Sequence, residues 1–203
     1  MKIVPKKLKL GDEVRIIAPS RSMKILKEDV IKIATQRLEE IGLKVTFGKN
    51  VMKYQNEDFK CATIEERIED LHEAFKDKNV KAIITVIGGY NVNQILEYID
   101  YKLIQENPKI ICGFSDITAL VNAIYAKTNI VTYLGVQFFS FGMKYGFEYS
   151  MEYFKKMFFE NEEIEVLPSK QWSNDKWLKN QDDRKFINNE GMKVINRGKQ
   201  KEK

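Results

Sequence analysis

Short, nearly unbroken apolar runs alternate along the chain with longer stretches whose apolar positions recur every three to four residues. Asp12-Glu-Val-Arg-Ile-Ile-Ala-Pro-Ser20 is an apolar run closed by Pro and Ser, which predicts a strand entering a turn. Lys27 to Leu43 places Val30, Ile33, Ala34, Leu38 and Ile41 on one helical face, with Gly42 at the stop. Lys44-Val-Thr-Phe47 returns to strand, and Asn50 to Ala62, without periodicity, is expected to be an exposed loop. Thr63-Ile-Glu-Glu66 has the spacing of a capping box. It opens a helix through Ile64, Ile68, Leu71 and Phe75 to about Asp77. Next come a strand over Lys81 to Gly89, a helix from Asn91 to about Gln105, and a strand over Lys109 to Phe114. A helix over Asp116 to Lys127 carries Ile117, Leu120, Val121 and Ile124 on one face. A fifth strand over Ile130 to Leu134, a helix over Tyr149 to Asn161 and a short strand over Ile164 to Leu167 follow.

Strands alternating with helices of this length predict βαβ units. The fold class is α/β, a doubly wound parallel sheet with helices on both faces. Runs as apolar as Ala82-Ile-Ile-Thr-Val-Ile87 suit strands covered on both sides. Ligands of such sheets bind at the carboxyl ends of the strands. Here those ends carry Ala18-Pro-Ser20, Gly88-Gly-Tyr-Asn91, Gly113-Phe-Ser-Asp116 and Gly135. The α/β domain is expected over 1–167. From Pro168 the chain turns polar around Trp172 and Trp177, and 168–203 is expected to be a linker and the start of a second domain. Lys193-Val-Ile-Asn196 hints at a new strand, and Arg197 to Lys203 forms a basic tail.

Composition narrows the function classes. With 43% hydrophobic and 31% charged residues among 203, the chain has the balance of a globular protein. No run nears the roughly 18 apolar residues of a membrane span. The N-terminal segment lacks the apolar core of a signal peptide, and two cysteines make no disulfide framework, so a cytoplasmic location is expected. The net charge of +5 comes from acidic and basic residues that are interleaved rather than clustered, which argues against a nucleic-acid footprint. One histidine and two distant cysteines give no zinc spacing. Gly88-Gly89 is not a dinucleotide fingerprint, so no metal or cofactor is expected.

Ser115 lies between a strand and a helix, where a sharp elbow lifts a hydroxyl clear of the sheet toward the positive helix end. The backbone N–H of Asp116 is a natural oxyanion donor there. A serine in that position is also a preferred N-cap, and Gly-Phe-Ser-Asp by itself leaves the two readings open. Gly88 and Gly89 let backbone approach a ligand closely, or form only a turn. His72, midway along a helix, is read as a surface residue rather than a base for Ser115. Cys112 is read as inert packing. Trp172 and Trp177 either stack on a flat ligand group or anchor the linker.

Seven segments together resemble the LD-carboxypeptidase family of serine peptidases: Ile17-Ala-Pro-Ser20, Arg67-Ile-Glu-Asp-Leu-His-Glu-Ala-Phe75, Lys81-Ala-Ile-Ile84, Gly88-Gly-Tyr-Asn91, Tyr98-Ile-Asp100, Asn107-Pro-Lys109 and Gly113-Phe-Ser-Asp-Ile-Thr118. Asn91-Val-Asn-Gln-Ile-Leu96, Val131-Thr-Tyr133, Phe139-Ser-Phe-Gly-Met143 and Pro168-Ser-Lys-Gln-Trp-Ser173 resemble its microcin C immunity branch. The resemblance runs from Leu8 to Gly198. It implies amide hydrolysis by a Ser-Glu-His triad, with Ser115 as nucleophile and the N–H groups of Asp116 and Gly89 as oxyanion hole. It implies Gly88, Tyr90, Asn91, Trp172 and Trp177 around a muropeptide or a peptidyl or aminoacyl nucleotide, and a homodimer.

The family pattern places the triad Glu and His in a smaller β-rich C-terminal domain. No histidine follows His72, so the chain is expected to be truncated before that domain and impaired as a peptidase. The alternative is a non-catalytic nucleotide- or peptide-binding remnant. Tyr133-Leu-Gly-Val136 also departs from the His-Gly-Pro of similar proteins.

Overall fold

A computed structural model of the chain describes residues 1–55, 57–176 and 181–191. Met1–Ile164 and Glu165–Lys203 form separate compact units. The first holds five strands, β1 (Glu13–Ile17), β2 (Lys44–Phe47), β3 (Val80–Thr85), β4 (Ile110–Gly113) and β5 (Tyr133–Leu134). All are parallel, in the order β2-β1-β3-β4-β5. This is a doubly wound order whose direction of winding reverses between β1 and β3.

The helices are α1 (Glu28–Glu40), α2 (Ile64–Lys76), α3 (Tyr101–Glu106), α4 (Ile117–Thr128), α5 (Phe138–Phe141) and α6 (Glu148–Phe159). Strand alternation sorts the core into two layers. Ile17 of β1, Ile83 of β3 and Ile111 of β4 pack with Leu71 and Phe75 of α2 and Leu120 and Ile124 of α4. The intervening Ile16, Ile84 and Cys112 are equally buried and face the opposite layer. There α1 packs on α5, with Ala34 and Leu38 fully buried.

Thr63 and Glu66 form the reciprocal capping box that their spacing predicts. Other expectations need correction. The single helix over Asn91–Gln105 is instead a 3-10 segment, Val92–Tyr98, followed by α3. Asp100 makes the break, because its carboxylate accepts from the Leu103 N–H and starts a new helix. His72 Nε2 accepts the Asp100 N–H at 2.9 Å, so the histidine, partly exposed on the helix surface, also stabilises this junction. The strand expected over Lys81–Gly89 ends at Thr85. Ile130 forms only an isolated bridge with Ile3, and β5 is two residues long. Ile164–Leu167 is not a strand, and its Val166 and Leu167 are exposed. In the second unit, β6 (Gln171–Trp172) and β7 (Ile187–Asn188) pair antiparallel. Lys193–Asn196 lies outside the described residues.

Asp70 of α2 sits 4% exposed beside the turn after β2, accepting from the Asn50 N–H at 3.1 Å and from Asn50 Nδ2 at 3.0 Å. Burial pushes its carboxyl above the usual range, against the pull of those hydrogen bonds. Among the described residues the buried Asn50 Oδ1 has no hydrogen-bond partner. A raised folded-state pKa means that this group's stabilisation is complete below its unfolded pKa and is lost as pH rises through the folded value. Asp70→Asn removes the charge and keeps the shape. It is expected to raise the urea midpoint at pH ~7, with the gain vanishing by pH ~4, near the unfolded carboxyl's own pKa. An unchanged or lower midpoint at neutral pH refutes this.

Candidate active site

The reversal of winding between β1 and β3 opens a crevice at their carboxyl ends. The chain leaving β1 is Ala18-Pro-Ser20 and the chain leaving β3 runs through Gly88-Gly-Tyr-Asn91, while β4 ends beside them at Gly113. Ser115 stands at this edge with φ +62°, in the left-handed region that non-glycine residues rarely adopt, and is exposed. Helix α4 opens without a side-chain cap, so the Ser115 hydroxyl is not used as an N-cap. Strain of this kind is the signature of an elbow held by its surroundings.

Those surroundings are glycines and polar ties. A Cβ on Gly113 would meet Ile117 Cγ2 at 2.7 Å, so only glycine lets the strand turn this tightly into α4. A Cβ on Gly88 would lie 2.9 Å from Ser115 Cβ, 3.0 Å from its Oγ and 3.3 Å from the Asp116 nitrogen. Gly88 therefore packs directly against the candidate nucleophile and the N–H that follows it. A Cβ on Gly89 would meet Arg21 Cγ at 3.0 Å, which fixes the second glycine against the β1 turn. From the other side Gln137, 1% exposed, donates through Nε2 to the Phe114 carbonyl at 2.8 Å.

The Asp116 carboxylate ties the three loops together. It accepts from Ser20 Oγ at 2.7 Å and from the Asn91 and Val92 N–H groups at 3.0 Å each. Beneath them the buried Arg67 donates to the Pro19 and Asn91 carbonyls at 3.1 and 3.0 Å and to Gln94 Oε1 at 2.8 Å. Desolvation pulls its pKa down, while Cys61 and Asp116 pull it back up. Cys112 is buried in β4 and burial pushes its thiol up to about 12, so it is protonated packing.

The structure thus brings together Ser115, Asp116, Gly88, Gly89 and Tyr90. Tyr90 is 75% exposed, with the Arg21 guanidinium 5.8 Å from its ring centre. Asn91 is buried, its amide nitrogen 2.7 Å from Cys61 Sγ and its Oδ1 3.1 Å from Ser20 Oγ. Its side chain ties the turn to Ser20 and Cys61. Trp172 belongs to the second unit, half-exposed on β6, and Trp177 lies outside the described residues. Among the described residues no group of His, Cys, Asp and Glu is arranged to hold a metal ion.

The family model for the LD-carboxypeptidase N-terminal domain matches residues 14–135, the segment that builds this crevice. The chain belongs to the LD-carboxypeptidase family. A Treponema pallidum protein named as a carboxypeptidase is 48% identical to this chain, over 94% of the chain and 56% of its own length. The MccF-like protein of Bacillus anthracis matches with a TM-score of 0.90 at 52% identity, over 93% of this chain and 57% of that one. The microcin C7 self-immunity protein MccF, solved with aspartyl sulfamoyl adenosine, matches with a TM-score of 0.82 at 29% identity, over 92% of this chain and 57% of its own. The chain therefore spans little more than half the length of these relatives.

Sequence reasoning missed Arg67 and the Asp116 side chain as parts of the site. Arg67 had a readable signal. It lies four residues before Leu71 on the buried stripe of α2, where an unpaired cation is out of place unless it binds something.

Proposed function

We propose that this chain supplies the nucleophile-bearing part of a serine-type LD-carboxypeptidase. Ser115 attacks the carbonyl carbon of an amide in a small peptide, such as a muropeptide, or in an aminoacyl nucleotide. The placement of Ser115 supports this reading: a left-handed, exposed serine at a strand end, with no cap bond and glycine packed against its hydroxyl. The N–H groups of Asp116 and Gly89 take the developing oxyanion. Tyr90 at the crevice rim offers a flat face to the leaving group. The aspartyl sulfamoyl adenosine bound by the related MccF supports an aminoacyl nucleotide as ligand.

A serine hydroxyl needs a base to attack at neutral pH. His72, the single histidine, accepts the Asp100 N–H. In this reading the base comes from outside the 203 residues, and the chain by itself binds ligand but turns it over poorly. Two assays test it, titration calorimetry with aspartyl sulfamoyl adenosine and hydrolysis of an N-aspartyl phosphoramidate of adenosine, whose acyl bond is an amide. Saturable binding is expected, with turnover about 10⁴-fold or more below that of a complete triad. Ser115→Ala is expected to keep the binding and abolish the residual turnover, while Tyr90→Ala weakens binding about tenfold. Turnover that survives Ser115→Ala refutes the assignment, as does a chain that binds nothing.

A further inference from the structure

All five strands are parallel, so the residues preceding them gather at the end of the sheet opposite Ser115. The six-residue β3 alone separates the two ends by about 20 Å. At the amino end lies a cavity of about 530 Å³, within the usual size range of small-molecule sites. Six lysines line it: Lys6, Lys7, Lys9, Lys78, Lys81 and Lys109, against two carboxylates, Asp12 and Glu106. Pro5, Val80 and Pro108 add apolar wall.

Helix ends explain part of this charge. The C-termini of α2 and α3 fall at this edge, and their exposed carbonyls favour cations. Lys109, 7% exposed, donates to the Ala74 carbonyl at 3.1 Å and to the Asp77 carbonyl, and Lys7 donates to the Met157 carbonyl at 2.5 Å at the end of α6. Four ammonium groups remain beyond that need. Among the described residues Lys78 and Lys81 contact neutral acceptors, Asn107 Oδ1 and the Lys78 carbonyl, while Lys6 and Lys9 are exposed on the N-terminal segment that lines the same cavity. Asp12 is itself engaged, accepting the Lys9 backbone N–H at 2.8 Å. Desolvation brings Lys109 down to about 8, with Asp77 opposing the shift and the charges of Lys78 and Lys81 adding to it. Packing so many cations around one cavity opposes folding unless an anion relieves it.

We propose that this cavity binds a small phosphorylated ligand, with a di- or triphosphate held by the ammonium groups of Lys78, Lys81, Lys6 and Lys9 and a flat or apolar part against Pro5 and Pro108. The site is separate from the Ser115 crevice and is not assigned by membership of the family. Calorimetry with inorganic pyrophosphate and with a nucleoside diphosphate, in buffer of physiological ionic strength, tests it. One saturable site is expected, with the nucleoside diphosphate binding more tightly. The exposed pair Lys78→Ala/Lys81→Ala is expected to weaken binding at least about tenfold, while Lys32→Ala/Lys155→Ala, which alters the net charge equally elsewhere, leaves it unchanged. Ser115→Ala and Tyr90→Ala are expected to have no effect. Absence of saturable binding, equal weakening by both lysine pairs, or loss on Tyr90→Ala overturns the proposal.

Discussion

Arg67→Met is expected to destabilise the first unit by about 4 kcal/mol, a large part of the 5–15 kcal/mol that holds a typical domain together. Arg67 is 2% exposed and, among the described residues, its hydrogen-bond partners are carbonyl oxygens rather than carboxylates. Burying a lone cation costs several kcal/mol, so methionine of similar reach recovers some energy. The partners decide the sign. Pro19 and Asn91 are buried, and each would retain a carbonyl stripped of its donor, at about 1–3 kcal/mol apiece. Gln94 Oε1 and the Thr63 carbonyl, 3.3 Å from Nε, lose a charged donor as well. Those losses exceed the relief of desolvation. Arg67→Lys should recover little, because an ammonium on a shorter stem cannot reach carbonyls on two loops at once. Urea unfolding of the three proteins checks the order; a methionine variant as stable as the parent would mean that the desolvation cost cancels every bond the arginine makes.

The same arginine shows where sequence reading stops. Strands and helices were legible because each depends on residues close in sequence: the apolar run of β3, the period of α1, the Thr63–Glu66 box. Elements that depend on distant partners were not. The break at Asp100 is supported by His72, 28 positions away in the chain, and nothing in the helical period of Asn91–Gln105 announces it. Val166 and Leu167 belong to a short apolar run, but they are exposed and form no strand, because a strand depends on a partner that the run itself does not specify. At the site, Ser115 and the two glycines could be located because an elbow and a close approach are local demands. The bonds that hold them join β1, β3 and β4 through Ser20, Arg67 and Asp116, and which strand lies beside which is settled only by the β2-β1-β3-β4-β5 order.

Asp116→Ala should cost about 3 kcal/mol and disorganise the crevice beyond the loss of its own side chain. Its carboxylate accepts three hydrogen bonds, and two of the donors are backbone N–H groups of the buried Asn91 and Val92. With alanine both N–H groups lose their acceptor, at about 1–3 kcal/mol each. Asp116→Asn retains an oxygen that can face both N–H groups and should cost about 1 kcal/mol, the difference between a charged and a neutral acceptor. The functional consequence follows from Gly88, which sits three residues before Asn91 and 3.3 Å, by its hypothetical Cβ, from the Asp116 nitrogen. Releasing Asn91 and Val92 frees the Gly88–Gly89 turn to leave Ser115. Binding of aspartyl sulfamoyl adenosine should therefore fall about tenfold or more in the alanine variant and much less in the asparagine variant, under conditions where both remain folded. A stability loss with unchanged affinity would show that the turn holds its place without the carboxylate, leaving Asp116 a structural tie only.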